Sequence, residues 1–394
     1  MKKICFVSAA LLLSVMAANA QLDLVNKVSG NQSNQAKDSF HFTTIVDAET
    51  TPVENQANSG TCWSYATNSF LESEMIKAGK KPVPLAKLYT ARCAYIEKGE
   101  NYVRMHGAVS WGDGGEPHDV INMYAKYGTI PESVYTGLHY GTSTNQFGEL
   151  QAVLKSMLDA VVSNKNGTLT PVWKDAFTKV IDTYLGEVPA NFDWDGKTYT
   201  PQSFARDVVG LDPNDYVEFM SVTNAPYYTK AMLMVPDNWA FQWDWNIPLP
   251  DVTAVIDNAL KAGYTVSWGA DVSEPYFSWK NGVAFVPAKD VSGMSPKEKA
   301  GLFNGPQPEL TITPQNRQEA FDNYSTTDDH DMQITGIAKD QNGREYYIVK
   351  NSWGTSNDYK GYLYVTKAYV QYKTTSFMVN KKGLTDEFRK KLGI

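Results

Sequence analysis

At 394 residues the chain has room for one large domain or two ordinary ones, and 42% hydrophobic with 20% charged residues is the balance of a soluble globular enzyme. Thirty-six basic against 43 acidic residues give a formal charge of −7, with no basic cluster set against it. That argues against a nucleic-acid partner, which would call for a basic face.

Residues 1–20 read as a cleavable signal peptide. Lys2-Lys3 is the charged start, Ile4 to Met16 is mostly apolar, and Ala18-Asn19-Ala20 fits cleavage before Gln21. The apolar run is too short to cross a bilayer and no later stretch is long enough, so no membrane span is expected. The mature protein is expected to be exported, to a periplasmic or extracellular location. Cys5 leaves with the signal. The remaining two cysteines, Cys62 and Cys93, are too few for a disulfide-built chain, and Cys93 in its apolar helical setting reads as a core thiol.

Residues 21–45 are polar and weakly patterned, and read as an extended N-terminal arm. Apolar spacing predicts a helix from Cys62 to about Lys77 with a stop at Gly79, and a second from Pro117 to Tyr127 closing at Gly128. Helical patterns alternate with turns over 149–186, whereas 187–230 has no clear period. Residues 250–270 read as helix then strand. β-branched and aromatic runs predict strands at 332–338, 345–350, 361–366 and 374–379. The drift from helical to β-rich suggests an α+β chain of two lobes with a cleft between them.

Cys62 lies in Gln56-Ala57-Asn58-Ser59-Gly60-Thr61-Cys62-Trp63, at a helix start. A free thiol ionises near pH 8.5, so only a few per cent is thiolate at neutrality. Lowering its pKa by about four units takes roughly 5 kcal/mol. A helix N-terminus supplies about 1 kcal/mol, or about 2 when partly buried. A nucleophilic Cys62 therefore needs an imidazole partner.

Among five histidines, His41, His106, His118 and His139 lack a suggestive setting, and His330 has one. The stretches 332–338 and 344–350 flank Lys339-Asp340-Gln341-Asn342-Gly343, a hairpin signal. If Lys339 faces Arg344, His330 falls opposite Trp353, with Asn351 on the same face one pleat away. Asn351 can then orient the imidazole as the third member of a Cys–His–Asn set. The Gln56 amide beside the Cys62 backbone N–H would give two donors to an oxyanion, and Trp353 would cover the His–Asn hydrogen bond.

Gln-x5-Cys-Trp, His330-x-Met332 and Asn351-Ser-Trp-Gly354 resemble the papain superfamily of cysteine peptidases. Ser59-Gly-Thr-Cys-Trp63, Asp113-Gly-Gly115, Lys126-Tyr-Gly128, Trp268-Gly-Ala-Asp-Val272 and Val379-Asn-Lys-Lys382 resemble its bleomycin hydrolase and aminopeptidase C branch. The resemblance runs from about residue 40 to 390. It implies a papain-like fold within one domain, 21–394. A helical lobe would carry Cys62 and an antiparallel β-rich lobe, roughly 260–380, would carry His330 and Asn351, with helical insertions roughly over 140–250. It further implies an aminopeptidase-like activity on peptides, Gly114, Gly115 and Trp353 as substrate-binding residues, and assembly as a homo-oligomer, a hexamer in the branch. Neither a cofactor nor a metal is implied.

Three features depart from the branch. Asp331 follows the histidine where relatives carry a small residue, and with Asp328 and Asp329 it is expected to favour imidazolium. The chain stops at Lys391-Leu-Gly-Ile394, short of the arm that closes the cleft in relatives, so an endopeptidase with an open cleft is the alternative. The branch is largely intracellular, whereas this sequence begins with a signal. Acyl transfer or non-peptide amide hydrolysis could use the same site. A non-catalytic glycan- or peptide-binding protein is suggested by Asn238–Trp245 and the ten tryptophans, but would have no use for Gln56, Cys62, His330 and Asn351 together.

Overall fold

The computed structural model describes residues 20–31, 40–165 and 167–394; the expected signal, save Ala20, lies outside them. The first half folds as α1 (Ala20–Ser29), β1 (Thr43–Asp47), α2 (Cys62–Lys77), α3 (Lys87–Arg104), α4 (Pro117–Tyr127), α5 (Phe147–Val162) and α6 (Val172–Leu185). A hairpin of β2 (Phe192–Trp194) and β3 (Lys197–Tyr199), a short α7 (Pro201–Phe204), β4 (Tyr216–Met220), β5 (Thr229–Met232) and β6 (Trp243–Asn246) follow. The remainder is α8 (Leu249–Lys261), β7 (Val266–Ala270), β8 (Phe277–Ser278), β9 (Val283–Ala284), α9 (Pro296–Ala300), α10 (Pro314–Asp322), β10 (His330–Lys339), β11 (Glu345–Lys350), β12 (Tyr362–Thr366), α11 (Lys367–Lys373), β13 (Thr374–Asn380) and α12 (Asp386–Leu392). No helix among the described residues is long and apolar enough to cross a membrane.

The strands join in one eleven-stranded sheet ordered β5-β6-β4-β13-β7-β10-β11-β12-β9-β8, with β1 on the far half of β10. Two apolar cores result. One lies among the helices around Trp63, Phe70, Leu88 and Tyr95; the other packs on the sheet around Trp268, Met332, Ile334 and Val349. Helix α2 lies between them and is buried along most of its length, as a helix wedged between two layers must be. Trp63, Phe70 and Met75 join the helical core. Toward the sheet α2 presents polar side chains: Thr67 meets Ser267 at 2.8 Å and Ser69 donates to Gln333 Oε1 at 2.7 Å. Helix α4 takes the expected bounds, with Pro117 at its first turn and a Glu116–Asp119 capping box.

Three expectations are corrected. Within the arm 21–45, α1 is helical rather than extended, with Val28 buried and Leu24 and Val25 against the sheet core, and β1 pairs with β10. The region 140–250 is helical only to Leu185; beyond it lie β2 to β6, of which β4, β5 and β6 extend the main sheet well upstream of residue 260. Strand β4 is buried at every position, so its side chains show no alternation in polarity to read. Lys339 faces Glu345 rather than Arg344, and the register slips between Ile334 and Gly336. The slip restores the expected alignment near the site, where Gln333 faces Lys350. A side chain at Gly336 would collide with the Val46 carbonyl.

Burial makes several acids weaker. Burial pushes the carboxyls of Glu74, Glu132 and Asp328 up to about 7, and the carboxylates around His118 raise it to about 10. These groups bind protons more tightly folded than unfolded, so their stabilisation is complete below pH 4 and is lost as pH rises through 7 and beyond. His330, lowered to about 4, and Lys350, lowered to about 8, oppose them. The thermal midpoint is therefore expected to rise by several degrees from pH 8 to pH 5, measured by calorimetry; a midpoint that falls over this range would contradict the assignment.

Candidate active site

The loop 56–61 delivers Cys62 to the first turn of α2, which has no acidic residue to offset its positive end. The Asp331 backbone N–H favours the Cys62 thiolate, which sets the sulfur near the start of β10, next to His330. Cys62 and His330 line one cavity of about 400 Å³ between the lobes. Both are buried, at 8% and 1% exposure.

The imidazole is held from one side. His330 Nε2 lies 2.7 Å from Asn351 Oδ1, and the Ser352 N–H donates to that same atom, which identifies it as the oxygen. Nε2 therefore carries the proton, and the buried Nδ1, without a hydrogen-bond partner, is the basic nitrogen. The Trp353 ring covers the imidazole, with centroids 4.4 Å apart, and is braced by Trp279. Trp353 lies over the His–Asn bond and is not among the residues that line this cavity.

Gln56 is fully buried. It donates from Nε2 to the Ser59 carbonyl and accepts the Ser352 hydroxyl at Oε1. Its backbone N–H donates to the Ser352 carbonyl, so one loop holds Gln56 and Asn351 in common. One Nε2 hydrogen is left over. Gly114 and Gly115 line the cavity as expected. Trp63 Nε1 donates to the Asp113 carbonyl and Lys98 Nζ to that of Gly114. A side chain at Gly114 would strike the Asp237 carboxylate, and one at Gly115 the Trp63 ring, so the strip stays open to a peptide backbone.

The acidic cluster is corrected. Neighbours on a strand point to opposite faces, and the Asp331 side chain turns away from the imidazole. His330 is shifted only by burial, which lowers it to about 4, against the Asn351 hydrogen bond. Burial raises the Cys62 thiol, and Asp331, Asp328 and Asp237 raise it further. Burial thus disfavours the charged form of both partners. Cys93 is a buried thiol pushed up to about 11 by burial, in keeping with a core role.

Sequence reading missed the seam behind the site. Gln333 Nε2 donates to Ser73 and Thr265 hydroxyls at 2.9 and 3.0 Å. Lys350 Nζ donates to the Ser69 hydroxyl and the Thr51 carbonyl, both at 2.7 Å, and burial lowers it to about 8. The one signal was the run of polar residues along the predicted helix from Cys62 to about Lys77. His118, Glu218 and Asp244 are, among the described residues, the group spaced to hold a metal ion. His118 Nδ1 meets Glu218 Oε2 at 2.9 Å, while His118 Nε2, Glu218 Oε1 and both Asp244 carboxylate oxygens have no hydrogen-bond partner.

A thiol at a helix N-terminus, an Asn-held imidazole on the facing strand and a glycine strip along the cleft define a papain-like cysteine peptidase. Comparison with known proteins gives the family: residues 92–393 match the Peptidase C1-like family, and the chain belongs to it. That span carries His330 and Asn351, with Cys62 upstream of it. Aminopeptidase C of Streptococcus thermophilus is 25% identical over 92% of this chain and 87% of its own length. Aminopeptidase C of Lactobacillus delbrueckii subsp. lactis is also 25% identical, over 95% and 89%. The crystal structure of PepW from Lactobacillus rhamnosis shares the fold, with a TM-score of 0.72 and 20% identity over 100% of this chain and 96% of that one.

Two substitutions probe the geometry. Asn351→Ala frees the ring and is expected to lower kcat by about 10²-fold, the effect of misplacing a reacting group by an ångström, with little change in KM. Gln333→Leu strands the hydroxyls of Ser69 and Ser73 and is expected to cost about 1–3 kcal/mol of stability in denaturant titration. Wild-type values for both would contradict the roles given to them.

Proposed function

We propose that the protein is a cysteine aminopeptidase. One observation carries the chemistry: the unpartnered Nδ1 of His330 and the thiol of Cys62 share one buried cavity, with Nε2 held by Asn351. Nδ1 takes the thiol proton as sulfur attacks the peptide carbonyl, so ionisation accompanies attack. The Cys62 backbone N–H and the remaining Gln56 Nε2 hydrogen receive the oxyanion. The imidazolium returns its proton to the leaving amine, and a thioester is left on Cys62. Water activated by His330 then hydrolyses it.

Action at the amino terminus is supported by relatives named Aminopeptidase C, which match this chain nearly end to end. Export is proposed from Lys2-Lys3, the apolar run and Ala18-Asn19-Ala20. A homo-oligomer is the assembly that the branch resemblance implies.

A mixed library of free and N-acetylated peptides, digested and read by mass spectrometry, tests the activity. Stepwise loss of residues from free amino termini is expected, with acetylated peptides left intact. Internal cleavage of acetylated peptides would instead establish an endopeptidase.

A further inference from the structure

We propose that Asp331, Asp328 and Asp237 form a recognition site for a positively charged substrate group, an ammonium or guanidinium, beside Cys62. The proposal rests on the peptidase reading and names the substrate chemistry that the site selects. All three residues line the Cys62 cavity, whose lining holds, besides His330, one basic residue among the described residues, the exposed Lys27 of α1. Of the other carboxylates there, Asp23 is exposed on α1, Asp113 accepts the Gly60 N–H, and Asp329 accepts that of Val272 at Oδ1 while its buried Oδ2 is unpartnered. Asp331 is 3% exposed, and its Oδ2 likewise has no hydrogen-bond partner. A buried carboxylate oxygen without a donor is costly, and a charged N–H donor is the strongest complement to it.

Asp328 and Asp237 add their charge to the same corner, since each acts on Asp331 and on Cys62. Behind them lie Glu116 and Glu218, with His118 as the opposing cation. The Asp331 backbone N–H favours the Cys62 thiolate, so the anchoring carboxylate belongs to a residue whose backbone acts on the nucleophile. Two sources of a cation fit: a free α-ammonium, or a Lys or Arg side chain next to the scissile bond. Either would also cancel the field that holds the thiol protonated, so the same charge that binds makes Cys62 easier to ionise.

Three coumarin amides separate the sources: N-acetyl-norleucyl, N-acetyl-lysyl and free-amino norleucyl. At least one cationic amide is expected to exceed the neutral one in kcat/KM by tenfold or more, the range of a charge-assisted hydrogen bond. A gain confined to the free-amino compound assigns the α-ammonium; a gain with acetyl-lysyl assigns the side chain. Asp331→Asn is expected to cut that ratio at least fivefold, and Asp237→Asn to do so less strongly should the first variant fold poorly. Ratios within twofold of unity in the wild-type protein, or a ratio that survives both substitutions, would overturn the proposal. Labelling of Cys62 by a neutral epoxysuccinyl amide runs alongside. Labelling with flat ratios sinks the cation site alone, whereas no labelling and no cleavage removes the peptidase reading and the site with it.

Discussion

The hydrogen-bonded seam between α2 and the strands β10 and β11 sets everything else. A nucleophile on a helix and a base on a strand are useful only if the two elements cannot slide. Apolar packing alone would leave that register loose, because it has no direction. Here Ser69, Ser73 and Thr67 of α2 meet Gln333, Lys350 and Ser267 of the sheet. Each bond contributes only about 1 kcal/mol net, but a broken one leaves a buried polar group unpaired at about 1–3 kcal/mol. A displaced helix would break several at once. The seam thus penalises wrong alignments more than it rewards the right one. Gln333 lies three residues from His330, and Ser69 two helical turns from Cys62, so the alignment passes directly to the reacting atoms.

The electrostatics of the site follow from burial and strand alternation. Burial disfavours charge on both Cys62 and His330. The helix N-terminus adds about 1–2 kcal/mol toward thiolate, while three aspartates on the sulfur side work against it. Asn351 and Trp353 leave the imidazole with one defined task, because the first fixes its tautomer and the second keeps water from the bond that does so. Such a site holds both partners where their charged forms are disfavoured until a ligand alters the field. A cation bound among the aspartates would favour the thiolate.

Much of this was legible in the sequence, because the informative parts are local. Gln56 to Trp63 announces a helix start carrying a nucleophile, and the Asp340–Gly343 turn fixes two strands that bring His330 and Asn351 together. The expected register reached the right pairing by a wrong route, since Lys339 faces Glu345 and the slip before Gly336 restores the alignment. Sequence alternation cannot reveal such a slip. It did carry the information that Asp331 opposes His330 across the strand, yet adjacency in sequence suggested that the two act together. Asp237 gave no signal, because it reaches the cleft from a loop over a hundred residues after Gly114. Strands β4 to β6 escaped for another reason: β4 is buried throughout, and β5 and β6 are only four residues each.

The central claim is that Cys62, made reactive by His330, carries the acyl group. Intact-mass and peptide mapping after rapid acid quench of the protein with a slowly deacylating ester of an amino acid test it most directly. The account predicts one acyl adduct, on Cys62, that fails to form in His330→Ala. Hydrolysis of the ester with no adduct on Cys62, or an adduct that forms equally fast without His330, would contradict it.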